Sequence, residues 1–158
     1  MNKRVKEQFS AYIKSGNEDE KKQYLFKKKS VCEKLQIESL HNNKDIHLVV
    51  FAEMYCPDCA VFMPILQAII EECENIIVEI YSRKSNRRLL ENLTGNCKIP
   101  SVVRMDSKNK VVSKIIEMPE TVYNRIRGDN KENVYSEYRK GLYDDLIVES
   151  IVKLIEKE

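Results

Sequence analysis

The sequence predicts an α/β fold in which a central mixed sheet is flanked by helices, with further helices added at both ends. Three observations lead there. Short apolar, β-branched runs stand at 46–54, 76–81, 101–105 and 111–116. Segments whose apolar residues recur at helical spacing follow the first two of them. A polar connector, Asp106-Ser107-Lys108-Asn109-Lys110, joins the last two as a hairpin would, so these strands are expected to pair antiparallel. Strand, helix, strand and helix followed by a hairpin and a closing helix gives helices on both faces of a mixed sheet.

The elements are justified in turn. Val5, Phe9, Tyr12 and Ile13, then Tyr24, Leu25, Val31 and Leu35, lie at helical intervals, and Gly16-Asn17 divides them into two helices. Asn42-Asn43-Lys44-Asp45 reads as a turn before the strand from Ile46 to Met54. Pro57 suits the first turn of a helix, where its missing N–H has no partner to lose. Val61, Phe62, Ile65, Leu66, Ile69 and Ile70 carry that helix on until Asn75 closes it, and Pro64 is expected to kink it. After the strand from Ile76 to Tyr81, Ser82 to Asn86 reads as a turn and Arg87 to Leu93 as a helix ended by Gly95. From Pro119 the chain reads as helical, with breaks near Gly128-Asp129-Asn130 and at Gly141. The last helix is expected to bury Leu142, Leu146, Ile147, Ile151, Leu154 and Ile155. The 158 residues therefore read as one domain, with a helical N-terminal extension over 1–44, a core over 46–118 and C-terminal helices over 119–158.

Composition narrows the function classes. Apolar residues make up 42% and charged residues 33%, with a net charge of +2, so no global field draws the chain to nucleic acid or an anionic membrane. The runs Lys27-Lys28-Lys29 and Arg87-Arg88 are local and lack interleaved stacking aromatics, and they read as solvated helix faces. No secretory signal is evident in the charged stretch from Met1 to Glu20, and no segment reaches membrane-spanning length. Five cysteines, odd in number and widely spread, do not form the dense framework of a secreted disulfide scaffold. The expectation is a cytoplasmic protein with no nucleic-acid or membrane partner.

Tyr55-Cys56-Pro57-Asp58-Cys59 carries the chemistry. The pair sits at a strand-to-helix junction, so unpaired N–H groups and the positive end of the helix dipole favour a thiolate at Cys56, the nucleophile. Cys59, one turn deeper, resolves the mixed disulfide. Asp58 works against the thiolate and biases the pair towards a stable disulfide, hence towards reductase chemistry. The same spacing is also half a zinc site, but Cys73, Cys97, His41 and His47 offer no second C-x-x-C or H-x-x-x-H. Cys97 could be a third redox thiol or a plain loop residue. Cys32 and Cys73 read as small helix residues, and neither histidine has the partners of a Cys–His nucleophile. Tyr123, Tyr135, Tyr138 and Tyr143 read as packing, within a segment, 125–139, placed to cover the active-site face.

With Ile99-Pro100-Ser101 downstream, a proline directly before a strand, the region from Ile46 to Met118 resembles the thioredoxin superfamily. The extended ends, with Tyr138-Arg139-x-Gly141-x-Tyr143, are similar to those of a group of bacterial stand-alone thioredoxin family proteins. The resemblance implies a thioredoxin-like fold with a cis Pro100 facing the cysteine pair. It also implies a thiol–disulfide oxidoreductase without a bound cofactor, acting on protein or small-molecule disulfides with an unassigned electron donor. Cys56 and Cys59 would be catalytic, and Tyr55, Pro57, Asp58, Ile99 and Pro100 would contact substrate. Two departures restrict the expected range. Tyr55 and Pro57-Asp58 replace the usual Trp and Gly-Pro, and Val50 stands where a buried Asp acts on the resolving thiol, leaving Glu53 and Asp58 as stand-in candidates. The alternative is a non-catalytic binding or adaptor module using the same groove.

Overall fold

The computed structural model describes residues 2–35, 45–128 and 131–157. Seven helices and four strands run in the order α1 (Lys3–Lys14), α2 (Glu18–Lys34), β1 (Ile46–Phe51), α3 (Pro57–Glu71), β2 (Ile76–Tyr81), α4 (Arg83–Thr94), β3 (Ser101–Met105), β4 (Val111–Ile116), α5 (Glu120–Gly128), α6 (Lys131–Arg139) and α7 (Asp144–Glu156) among these residues. The strand order is β2-β1-β3-β4. β1 pairs parallel with β2, while β1–β3 and β3–β4 are antiparallel, which is the expected mixed sheet.

β1 and β3 lie inside the sheet, and their near-continuous apolar runs are buried accordingly, with Leu48, Val50, Phe51, Val102 and Val103 fully enclosed. β4 is an edge and is nowhere fully buried. β2 is the other edge, and α1 packs against it: Gln8 Oε1 accepts the backbone N–H of Ile80 at 2.8 Å, occupying a strand edge that would otherwise offer a free donor. Gly16-Asn17 separates α1 from α2 as expected. Asn17 caps α2 reciprocally with Glu20, each side chain bonding the other's backbone N–H at 2.9 Å.

α3 is apolar on nearly every side because α2, α6 and α7 all pack on it. Pro64, expected to kink it, sits buried in an unbroken run of helix. The buried residues of α1, α2, α3, α6, α7 and the sheet belong to one apolar cluster. Arg104 crosses from β3 to α7, its Nη1 donating to the carbonyls of Leu154 at 3.0 Å and Ile155 at 2.6 Å. That guanidinium bonds two carbonyls of the helix's last turn, where a cation is favoured.

Several boundaries differ from expectation. β1 stops at Phe51, and 52–55 forms the turn into α3. α3 ends at Glu71, before Asn75, whose left-handed φ of 57° instead turns the chain into β2. The polar stretch 82–86 is not a turn: Ser82 Oγ accepts the N–H of Ser85 at 3.3 Å and starts α4 at Arg83, with a non-helical residue at Asn86. Polar side chains hid a helix start, because capping uses the same residue types as turns. Leu142 precedes α7 and is 67% exposed, so it does not join the core face. The turn expected at 42–45 falls, apart from Asp45, outside the described residues, as do His41 and positions 129–130 of the break between α5 and α6.

Candidate active site

The register of β1 against β3 pairs Phe51 with Ser101. The C-terminal end of β1 therefore lies beside the N-terminal end of β3, bringing the turn that carries Cys56 up to the Ile99–Pro100 segment. That peptide bond is cis. Ile99 is buried, and its carbonyl oxygen lies 3.9 Å from Cys56 Sγ.

Cys56 is the N-cap of α3, with extended backbone at φ −76° and ψ 122°, and Pro57 opens the helix. Its sulfur accepts the backbone N–H of Cys59 at 3.5 Å, a donor the first helical turn leaves free. The Cys56 thiol is lowered to about 7, chiefly by its hydrogen bond with the Cys59 side chain and further by the backbone N–H groups of Cys59 and Asp58, against burial and the Asp58 charge. Cys59 is 0% exposed and its thiol is pushed well up by burial, by the bond to Cys56 and by the charge at that residue. The two sulfurs thus differ sharply in how readily each becomes an anion. All five cysteines are free thiols.

Asp58 raises the Cys56 thiol as the sequence led us to expect, but this effect is outweighed. The Cys59 side chain and the N–H groups of the first turn outweigh it, while Asp58 itself is buried and paired: Arg139 of α6 donates through Nε to its Oδ1 at 3.0 Å. Asp58→Asn is expected to lower the Cys56 thiol further, because the Asp58 charge raises it. Iodoacetamide alkylation as a function of pH reads this directly, and a midpoint moved upward would contradict it.

Tyr55 is 60% exposed beside Cys56, and Pro57 is also exposed. Asp58 and Glu117 form one wall of an open groove of about 660 Å³ whose other side is Glu132, Tyr135, Ser136, Arg139 and Lys140 of α6 and the residue after it. Glu117 receives hydrogen bonds from the hydroxyls of Tyr123 and Tyr135 and an ion pair from Lys98 at 3.0 Å. The C-terminal helices therefore do reach the active-site face. Tyr12 of α1 and Tyr138 of α6 are buried, and neither hydroxyl has a hydrogen-bond partner among the described residues.

The other candidates lie apart from this chemistry. Glu53 Oε1 accepts the N–H of Lys84 at 3.1 Å, so its carboxylate is turned to α4. Cys97 is half-buried, with its carbonyl accepting from Arg83 at 3.4 Å, and Cys32 is exposed on α2. Cys73 lies just past α3, and its thiol donates to the Ile69 carbonyl at 3.2 Å. His47 Nε2 pairs across the strands with Glu79 at 2.7 Å. Among the described residues no three His, Cys, Asp or Glu side chains gather where they could hold a metal ion, and no helix is long and apolar enough to cross a membrane.

Nothing in the sequence places Arg139 at the pair. A carboxylate inside the C-x-x-C called for a cation somewhere, but nothing local to the motif named Arg139.

A family model described as thioredoxin matches residues 6–133, most of the chain. The protein belongs to the thioredoxin family. Among solved structures, this thioredoxin family member is similar to an HIV epitope scaffold at 20% identity, with a TM-score of 0.79 over 96% of this chain and 93% of that one. It is also similar to a protein of unknown function from Pseudomonas aeruginosa at 21% identity, with a TM-score of 0.74 over 94% of this chain and 91% of the other. At such identities the likeness is one of fold, and it extends well beyond 46–118 into the helices at both ends. No curated protein matches the sequence.

Proposed function

We propose that this thioredoxin family protein is a thiol–disulfide oxidoreductase, working as a reductase of protein or small-molecule disulfides through a Cys56/Cys59 dithiol–disulfide cycle. One observation carries the reading. A partly exposed thiol at a helix N-cap, lowered to about 7, is paired with a fully buried thiol that is pushed up. The first is a competent nucleophile near neutral pH; the second reacts only with what the first has already captured.

In the cycle, the Cys56 thiolate attacks one sulfur of a substrate disulfide. A Cys56–substrate disulfide forms, and the other substrate sulfur leaves as a thiolate that takes up a proton. Cys59 then attacks Cys56, the internal disulfide forms, and the second substrate sulfur departs. Two electrons have passed from the dithiol to the substrate. The Ile99 carbonyl beside Cys56, the cis Pro100 and the exposed Tyr55 and Pro57 form the edge on which a substrate backbone would rest. Reductase direction is favoured because a thiol near 7 is far from the value of about 3.5 reached by a strongly oxidising pair, whose reduced form is heavily stabilised.

The test is the reduction of insulin by dithiothreitol, followed as turbidity. Catalytic amounts of the protein are expected to accelerate precipitation well above dithiothreitol alone. No acceleration by folded protein with both thiols titratable would remove the enzymatic reading and leave the adaptor module.

A further inference from the structure

The groove beside the cysteine pair has a direction. On its helical side Glu132, Tyr135, Ser136, Arg139 and Lys140 recur at alternating helical intervals, so they share one face of α6 and the residue after it. From Glu132 to Lys140 that face runs about 12 Å, at about 1.5 Å per residue. An extended peptide of about three or four residues covers the same distance. The end nearest the pair is the Arg139 end, because Arg139 bonds Asp58 at 3.0 Å and Asp58 lies inside the C-x-x-C. On the other side, the backbone N–H of Glu117 donates to the Pro100 carbonyl at 2.6 Å. The groove is thus continuous with the edge on which a substrate backbone would rest.

Its charges are unequally engaged. Asp58 is held by Arg139, Glu117 is held by Lys98, Tyr123 and Tyr135, and Glu132 is not free either. The cations are the groups with bonding capacity left. Arg139 uses Nε alone for Asp58, and neither of its Nη groups has a hydrogen-bond partner among the described residues. Its guanidinium lies 5.6 Å over the Tyr135 ring, and its side chain is 47% exposed. Lys140 is exposed, and its ammonium makes no ion pair among the described residues. Both cations also line a second hollow, of about 340 Å³, together with Pro57. They therefore form a ridge beside the residue that follows Cys56. The free fork of such a guanidinium suits a carboxylate.

We propose that this groove selects protein disulfides in which the attacked cysteine has an acidic residue directly beside it, the carboxylate being taken by Arg139 and Lys140 while the chain beyond runs along α6 towards Glu132. The inference rests on the redox reading above and names its substrate class. A small disulfide would fill only the cationic end, whereas the length of the face matches a chain. Position matters as much as charge. An acid beside the cysteine meets the two cations, but one about four residues further on meets Glu132.

The experiment uses short peptides with one cysteine, blocked at both ends and activated as the 2-pyridyl disulfide, mixed with the fully reduced native protein. The Cys56 thiolate attacks the peptide sulfur, the Cys56–peptide disulfide forms, and pyridine-2-thione leaves with a proton and is read by absorbance. Each rate is divided by that of the same peptide with dithiothreitol, which removes the effect of the neighbouring charge on the cysteine itself. At low salt a peptide with Glu on both sides of the cysteine is expected to react about tenfold faster than its Gln counterpart, as two part-exposed ion pairs give. That margin should shrink as salt is added. A peptide whose Glu residues stand four positions away is expected to match the Gln peptide. Lys140→Glu should abolish the preference while keeping the native urea midpoint, because the side chain is exposed. Equal rates for the Glu and Gln peptides, equal benefit from Glu four positions away, or a preference that survives Lys140→Glu overturns the assignment and leaves the dithiol cycle standing. No thione released from any peptide by the folded dithiol overturns both.

Discussion

Cys56→Ser is expected to reduce insulin-reductase activity to the rate of dithiothreitol alone, while Cys59→Ser leaves a protein that reacts once and stalls. The argument rests on where the chain puts each sulfur. Cys56 lies at the mouth of α3, half-exposed, with the Cys59 N–H directed at it and a thiol lowered to about 7, so about half is thiolate at neutral pH. A serine hydroxyl there has no comparable anion to offer. Cys59 lies inside, where burial keeps it a thiol until Cys56 has formed a mixed disulfide next to it. With serine at 59 the first attack proceeds and the second cannot, so a one-to-one covalent adduct with an insulin chain should accumulate and be released by added dithiothreitol. Non-reducing electrophoresis followed by mass measurement decides it. An adduct on Cys56→Ser and none on Cys59→Ser would reverse the roles. The Cys59→Ser adduct is also the route to physiological partners, since any captured disulfide protein stays attached.

Phe9→Ala is expected to carry a large cost in stability. Phe9 is 1% exposed on α1, in the same apolar cluster as β1, α3 and α7. Truncating a buried phenylalanine costs about 3–5 kcal/mol, the lost transfer energy plus the cavity left behind. Against a total of about 5–15 kcal/mol for a domain, that is a large share. The urea midpoint should fall by on the order of 2 M, from a slope of about 1–3 kcal/mol per M. The loss should appear in a single transition common to fluorescence and circular dichroism, because α1 also covers the β2 edge through Gln8. A small early transition that leaves the main one at its native midpoint would show instead that the N-terminal helices are a separable attachment.

The local code was enough for the nucleophile and its immediate frame. The strand-to-helix change at Tyr55-Cys56-Pro57, the β-branched run of β1 and the Asp106–Lys110 connector are set by neighbours in the chain, through propensity, capping and turn chemistry. The strand bounds of β2, β3 and β4 followed from the same signals. The signal was poorest where one residue type serves two purposes, as at Ser82, which caps a helix while looking like a turn.

What surrounds the cysteine pair was decided only by the tertiary structure. Asp58 reads in sequence as an unopposed charge, yet Arg139, 81 positions away, offsets it. Tyr12 and Tyr138, from opposite ends of the chain, are buried in the same apolar cluster as Cys59, on helices that in sequence look like additions to a core. Charge and hydrogen-bond effects act through space over a few ångströms and are strengthened by burial. Their sources can lie anywhere along the chain, and only packing on α3 brings them together.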